Sequence, residues 1–135
     1  AVMSRQHPLA DLKKKSISIQ ELRDEIFIFP PAGSVHRINI EKILKRADIV
    51  PKVCAGVSSY LQLDMVKHNY GVLLWGQAGV ETIENRGDLC VYDLEEDYCY
   101  QKHYLMWKRE EYDSEVFRQY LSYIVQLCDG DRKEE

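Results

Sequence analysis

Short apolar runs typical of buried strands alternate along this chain with segments that have helical periodicity. Residues 25–29 and 72–75 are dominated by β-branched, aromatic and other apolar side chains. Between these runs, apolar side chains recur every three or four residues from Ile40 to Ala47, with charged residues on the opposite face. Alternating β and α segments predict an α/β fold with a mostly parallel sheet.

The segment boundaries follow from capping and turn residues. Ser18 with Glu21 forms a predicted capping box, Ser34 begins the second helical pattern, and Ser58 or Ser59 caps the next helix. Further strands are predicted at residues 1–3, 50–54, 89–94 and 98–107. A turn is predicted at residues 55–57 and a loop at residues 76–87. Leu61, Met65 and Val66 are expected to face inward. Asp113 or Ser114 caps a last helix, whose predicted apolar stripe is Phe117, Tyr120, Leu121, Ile124, Val125 and Cys128.

Length and charge exclude several classes of protein. With 135 residues and 45% hydrophobic content, the chain is expected to form one domain with one core. A net charge of -4 makes it a poor nucleic-acid binder by its own field. No apolar run approaches the roughly 20 residues of a membrane helix, and residues 1–8 lack the apolar stretch of a signal peptide. We expect no membrane association.

Residues capable of catalysis or metal binding are scattered. The four cysteines form no C-x-x-C pair, so they are expected to be reduced, buried thiols rather than disulfides, which favours a cytoplasmic location. The four histidines form no metal-binding spacing, and neither a G-x-S-x-G elbow nor a phosphate-binding P-loop is present. We therefore expect no metal, no cofactor and no enzymatic activity.

In two segments of the chain, the end of a predicted strand is followed by small residues and then by the start of a predicted helix. They are residues 29–36 and residues 53–59. Small residues let a ligand approach the backbone, and the first N–H groups of a helix favour an anion. Since ligands of α/β proteins bind at the carboxyl ends of strands, the two segments together are interpreted as half of a carboxylate-binding cleft. The alternative is that both are ordinary tight turns between strand and helix.

Several motifs, taken in order, resemble the effector-binding domain of LysR-type transcriptional regulators. They are H-P-L-A at residues 7–10, S-I-S-I-Q-E-L-R-D-E-I-F-I at 16–28, I-V-P at 49–51, M-V-K-H-N-Y-G-V-L-L at 65–74 and Y-L-M-W-K-R at 104–109. The resemblance covers nearly the whole chain and lies in the order and spacing of the motifs. The sequence departs from the family pattern at Ile26, Asn69 and Trp75.

The resemblance implies a fold of the type II periplasmic-binding-protein kind, in which a small, anionic effector binds between two lobes. Residues 1–128 would form a truncated effector-binding domain, with residues 11–100 as the second lobe and residues 101–128 as a hinge strand and a first-lobe helix. Residues 129–135 would be a disordered polar tail. The candidate ligand contacts that the family implies are Gly33, Ser34, Ala55, Gly56 and Ser58.

The same resemblance implies a bacterial, cytoplasmic homo-oligomer that contacts DNA only through a winged helix-turn-helix domain missing from this chain. Two alternatives share the superfold. One is a solute-binding protein of a transport system, which the lack of a signal peptide disfavours. The other is a dehydratase-like enzyme, which the lack of a convergent catalytic constellation disfavours.

Overall fold

The structure is a computed structural model that describes residues 1–84, 86–100, 104–108, 112 and 114–130, and all of their side chains except those of residues 55 and 128–130. The chain divides into two compact units, Ala1–Gln101 and Lys102–Glu135. Strands β1 to β6 span Val2–Ser4, Ser16–Ile17, Ile26–Phe29, Lys52–Gly56, Leu89–Val91 and Asp93–Leu94. Helices α1 to α4 span Val35–Arg46, Ser59–Lys67, Gln77–Glu81 and Glu115–Gly130, and 3-10 turns cover Ile19–Leu22 and Asp97–Cys99.

The main sheet of the first unit is held together by the short segment of Val72 and Leu73. Strands β3 and β4 pair in parallel, and β1 pairs with β5 in the antiparallel sense. Val72 pairs with β3 in parallel, and Leu73 pairs with β1 in the antiparallel sense. The backbone nitrogen and oxygen atoms of these hydrogen bonds are 2.8 to 2.9 Å apart. The resulting order is β4, β3, segment 72–73, β1, β5. The predicted α/β fold is confirmed, and β2 with β6 adds a separate parallel pair.

Apolar side chains fill both faces of this sheet because successive strand residues point to opposite sides. Phe27 and Phe29 belong to a cluster that includes Ile40 and Leu44 of α1. Ile28, on the alternate face, belongs to a second cluster with Val66 of α2. The inward stripe predicted for α1 is thereby confirmed, and helices cover the sheet on both sides.

Local capping fixes the helix starts that the sequence predicts. The Ser18 hydroxyl accepts from the Gln20 N–H at 3.2 Å, and the Glu21 carboxylate accepts from the Ser18 N–H at 3.2 Å. This confirms the capping box, although it begins a single 3-10 turn. Glu96 adds a carboxylate from a distant loop, which accepts from the Ser18 hydroxyl at 2.6 Å and the Ile19 N–H at 3.0 Å.

Two predictions around β4 and α2 are wrong. Ala55 and Gly56 lie in β4 rather than in a turn, because parallel pairing with β3 continues to Gly56. In α2 the predicted inward residue Leu61 is 42% exposed, whereas Gln62 is buried. The Gln62 amide donates to the Val57 carbonyl at 2.7 Å, so a satisfied polar side chain occupies the inner face.

Two further segments differ from their predicted form. Residues 77–81 form helix α3 inside the predicted loop. The strand predicted from residue 98 to residue 107 is absent from the described part of that range, where residues 97–99 form a 3-10 turn and residues 104–107 have no regular structure. Asn69, just after α2, has a φ of 59°, the left-handed conformation that is common at helix ends.

In the second unit, α4 begins after Ser114, whose hydroxyl accepts from the Phe117 N–H at 3.5 Å. The Trp107 ring lies 6.4 Å from the Tyr112 ring and 6.1 Å from the Phe117 ring. Of the predicted stripe, Leu121 is buried and Phe117 and Ile124 are half-buried, whereas Tyr120 and Val125 are exposed. Of the predicted disordered tail, residues 129 and 130 instead lie in α4. Asp113, the side chain of Cys128 and residues 131–135 lie outside the described structure. No helix in the described part of the chain has the length and apolarity to cross a membrane.

Candidate functional site

The two predicted strand-turn-helix segments meet at one edge of the sheet. Phe29 pairs with Gly56, and the Val57 N–H donates to the Phe29 carbonyl at 3.0 Å. Each strand then leads through a short turn into a helix, β3 into α1 and β4 into α2. The carboxyl ends of both strands and the amino ends of both helices therefore lie side by side, which is the arrangement that binds ligands in α/β sheets.

Gly33 and Ser34 shape the first turn. Gly33 has a φ of 79°, a left-handed conformation that favours glycine, and a Cβ there would meet nothing within 4 Å. The Ser34 hydroxyl accepts from the Arg37 N–H at 3.2 Å and so caps α1. The structure therefore gives Gly33 a backbone role beside open space and gives the Ser34 hydroxyl a capping role.

Ser58 differs from Ser34 in the second turn. It is the N-cap of α2, is exposed, and makes no side-chain capping hydrogen bond. Within the described residues its hydroxyl is therefore available to a ligand. Ala55 pairs with Ile28 inside the sheet, so its backbone is engaged in the strand. The buried Gln62 amide fixes the turn by holding the Val57 carbonyl.

Arg37, which was not among the predicted site residues, lies across both strand ends. Its Cζ is 4.7 Å from the centre of the Phe29 ring, and its Nη1 is 3.4 Å from the Pro30 carbonyl. A Cβ on Gly56 would lie 3.2 Å from the same Nη1. The sequence did offer one signal for Arg37: it lies three residues after Ser34, where the helical pattern begins, next to the turn that contains Gly33.

The positive charge at this edge comes from Arg37 and the amino end of α1. Burial lowers the pKa of the neighbouring His36, and a hydrogen bond to the Leu74 carbonyl only partly opposes this effect. The lowered pKa favours the neutral imidazole, so His36 contributes little positive charge to this edge. The side chain of Arg37 is 21% exposed and pairs through Nε with the Glu41 carboxylate at 2.8 Å. This edge can therefore stabilise an anion without the titration of a histidine.

The cysteines do not follow one pattern. Cys90 is buried, as predicted, but Cys54 is exposed and Cys99 is half-buried. Cys54 is exposed because β4 lies at the edge of the sheet, so the prediction of a buried thiol there is wrong. Burial, with a contribution from the Glu96 carboxylate, raises the pKa of Cys99 to about 11.

Selective alkylation follows from this difference. At pH 8 we expect N-ethylmaleimide to modify Cys54 well before Cys99, because the Cys99 thiol stays protonated below its raised pKa and only the thiolate is nucleophilic. The ratio of modified peptides in a time course by mass spectrometry measures this. Equal rates for the two cysteines at pH 8 would contradict the burial of Cys99.

His7 makes a local contact instead of a metal site. Its Nδ1 accepts from the Leu9 N–H at 3.2 Å, so its Nε2 carries the proton and faces Glu25 at 3.2 Å. Among the described residues, no group of three or more His, Cys, Asp or Glu side chains is placed to hold a metal ion.

The mixed sheet flanked by helices has the fold of the type II periplasmic-binding-protein-like class, as its similarity to solved effector-binding domains shows. Within that class, the chain belongs to the family of the LysR substrate binding domain, whose model matches residues 1–129. This confirms the predicted family, which consists of the regulatory domains of bacterial transcription regulators. A search of curated proteins finds no match.

Solved effector-binding domains of this family are similar to the chain. The QuiR domain in complex with shikimate is 25% identical, with a TM-score of 0.58 over 76% of this chain and 45% of the other. The regulatory domain of CcmR from Synechocystis PCC6803 in complex with 2-PG is 25% identical, with a TM-score of 0.59 over 70% of this chain and 45% of the CcmR chain. The BenM domain with benzoate, at 21% identity and a TM-score of 0.63 over 73% and 45%, supports the fold.

Each of these alignments covers less than half of the neighbour's chain. The chain therefore corresponds to only part of a solved effector-binding domain. The family match favours regulation over the transport and dehydratase alternatives, since the family is one of regulatory domains.

Proposed function

We propose that this chain is part of the effector-sensing region of a LysR-type regulator and binds a small, anionic metabolite between two lobes. The observation that carries the proposal is the hydrogen bond from Val57 N–H to the Phe29 carbonyl, which sets two strand ends and two helix starts beside the Arg37 guanidinium. Gly33, Gly56 and Ser58 supply accessible backbone or hydroxyl groups at that edge. Ser34 and Ala55 act through the turn and strand that hold them.

The acids bound by similar domains support an anionic effector. QuiR was solved with shikimate and BenM with benzoate, both of which are carboxylates. We infer that the effector of this chain belongs to the same broad class of small organic acids, and that the chain has no catalytic role.

In the proposed arrangement, residues 11–100 form one lobe, and residues 101–128 supply a hinge strand and a helix of the other lobe. Lobe movement would change how a cytoplasmic oligomer presents its winged helix-turn-helix domains to DNA. A ligand can shift such an equilibrium only by binding one arrangement more tightly than the other. The limited coverage of the similar domains, 45% of their length, supports a second lobe outside this chain.

A single lobe provides one wall of such a cleft, so we expect the chain alone to bind benzoate or shikimate no more tightly than the millimolar range. Contacts from a second wall would be missing, and a millimolar affinity corresponds to only about 4 kcal/mol of binding free energy. Isothermal calorimetry on the isolated chain measures this. Micromolar binding to the chain alone would contradict the two-lobe arrangement.

The gene upstream of Ala1 discriminates the proposed regulator from its alternative. A winged helix-turn-helix encoded there supports the regulator. A secretion signal or lipobox encoded there instead would support a solute-binding protein of a transport system and would refute the proposal.

Apolar side chains on the surface of α4 support a homo-oligomer. Within the described part of this helix, the exposed large apolar side chains are Val116, Tyr120, Tyr123, Val125 and Leu127. Such a surface is often covered by another protein surface, and we propose that a second copy covers it. Light scattering is expected to show a dimer at high concentration, and a strict monomer would count against it.

A further inference from the structure

We infer that the Arg37 guanidinium receives the carboxylate of the effector and thereby determines its chemical class; this inference rests on the proposed function. Two contacts orient the Arg37 guanidinium. Glu41 accepts from Nε at 2.8 Å and the Phe29 ring lies 4.7 Å from Cζ, whereas the Ser34 hydroxyl accepts from the Arg37 backbone N–H and fixes the start of the helix. The charge is therefore oriented before any ligand binds, which reduces the entropy lost on binding.

The contacts of Arg37 leave one side of its guanidinium open. A guanidinium has five N–H donors, of which Glu41 takes the one on Nε. The contact of Nη1 with the Pro30 carbonyl, at 3.4 Å, is long for a hydrogen bond. No other partner of Nη1 or Nη2 is present among the described residues. The Nη1 and Nη2 edge matches the two oxygens of a carboxylate, which it can bind in a bidentate manner.

Gly56 is the residue that lets the guanidinium reach the strand ends. A Cβ at this position would stand 3.2 Å from Arg37 Nη1 and 3.4 Å from the Pro30 carbonyl oxygen. The approach to Nη1 is tighter than most Cβ contacts, so an alanine would shift the guanidinium by a few tenths of an ångström and a larger side chain would shift it further. The carboxylate position is therefore defined by residues from three elements: Arg37 of α1, Gly56 of β4 and Pro30 after β3.

Sodium benzoate and benzamide form a matched pair of probes, because they share a ring and differ in charge. Titrated into the full 135-residue chain labelled with 15N, benzoate is expected to shift the backbone N–H signals of Arg37, Gly56 and Ser58 in a saturable way. Benzamide is expected to leave them in place. Arg37→Gln should weaken the benzoate response by about tenfold or more, the scale of one lost charge-assisted pair.

Two variants separate geometry from charge. Arg37→Lys keeps the charge but loses the planar fork, so its benzoate affinity should fall between those of the wild type and Arg37→Gln. Lys45→Gln removes one exposed positive charge eight residues along the same helix and should leave the affinity unchanged. Unchanged signals from the core strands in each spectrum show that the variant is folded.

The outcomes distinguish the inference from the function on which it rests. If Arg37→Gln binds benzoate as the wild type does, with the same shifts at Gly56 and Ser58, the role of Arg37 is refuted and the effector edge stands. Equal responses to benzoate and benzamide, or a stronger response to inorganic phosphate, refute the assignment of a carboxylate. If benzoate and shikimate shift no signal at the strand ends even at roughly tens of millimolar ligand, where the weak binding expected of a single lobe is visible, both the inference and the proposed site at this edge fail.

Discussion

Replacement of Gly71 by alanine is expected to lower the free energy of unfolding by about 3 kcal/mol, at the upper end of ordinary single substitutions. A Cβ at this position would collide with the Ile26 carbonyl oxygen and stand 3.2 Å from the carbonyl carbon. That oxygen accepts the Val72 N–H at 2.8 Å, and this hydrogen bond helps join β3 to segment 72–73. Backbone atoms cannot move aside as a flexible side chain can, so the middle of the sheet would have to separate.

Urea denaturation followed by circular dichroism measures this loss. Gly76→Ala is the matched control, because a Cβ there meets nothing within 4 Å and the residue needs no left-handed conformation. Gly76 is the N-cap of α3, where glycine is preferred to alanine, so the stability of this control should fall by no more than about 1 kcal/mol. A Gly71→Ala midpoint equal to that of the control would show that the approach to Ile26 is not a constraint on the sheet.

The parts of the fold that local chemistry determines were predictable from the sequence. The capping box of Ser18 and Glu21 and the cap at Ser34 follow from hydrogen bonds between residues three positions apart. The apolar stripe of α1 follows from helical periodicity, and Ile40 and Leu44 are buried as expected. In each case the relevant partners are close in sequence or follow a repeating pattern.

The wrong predictions concern residues whose position is determined by a tertiary contact. The position of Gln62 on the inner face of α2 depends on the Val57 carbonyl that its amide reaches, and apolar periodicity selects Leu61 instead. Gly56 looks like a turn residue by composition, but pairing with Phe29 keeps it in β4. Sequence patterns do not contain the partner that fixes either residue.

The candidate site was likewise predictable where local motifs mark it and unpredictable where tertiary pairing determines it. Both strand-turn-helix segments could be located because small residues and caps mark them. That they meet depends on the parallel pairing of β3 with β4, which no local motif encodes. Arg37 was missed because a charged residue in an amphipathic helix is usually solvated, whereas here its side chain turns back over Phe29 and Gly56.

Gly56→Val is expected to weaken benzoate binding by about tenfold while leaving the fold intact. The β-branched side chain would push the Arg37 Nη1 away from the strand ends, and a tenfold loss equals about 1.4 kcal/mol of binding free energy. Gly56 has no positive φ, and the nearest atom to its added Cβ is the end of the flexible Arg37 side chain, whereas at Gly71 it is the Ile26 backbone. The free energy of unfolding should therefore change by less than about 1 kcal/mol.

Cys54→Val, an exposed position in the same strand, is the matched control for the introduction of valine into β4. It should bind benzoate as the wild type does in a titration followed by 15N chemical shifts. If Gly56→Val also retains wild-type affinity, Arg37 reaches the carboxylate without the space that Gly56 provides. If Gly56→Val strongly lowers both the affinity and the stability, the contact of Arg37 with the strand ends serves to stabilise the edge of the sheet. Loss of affinity with retained stability is the result that assigns this glycine to effector recognition.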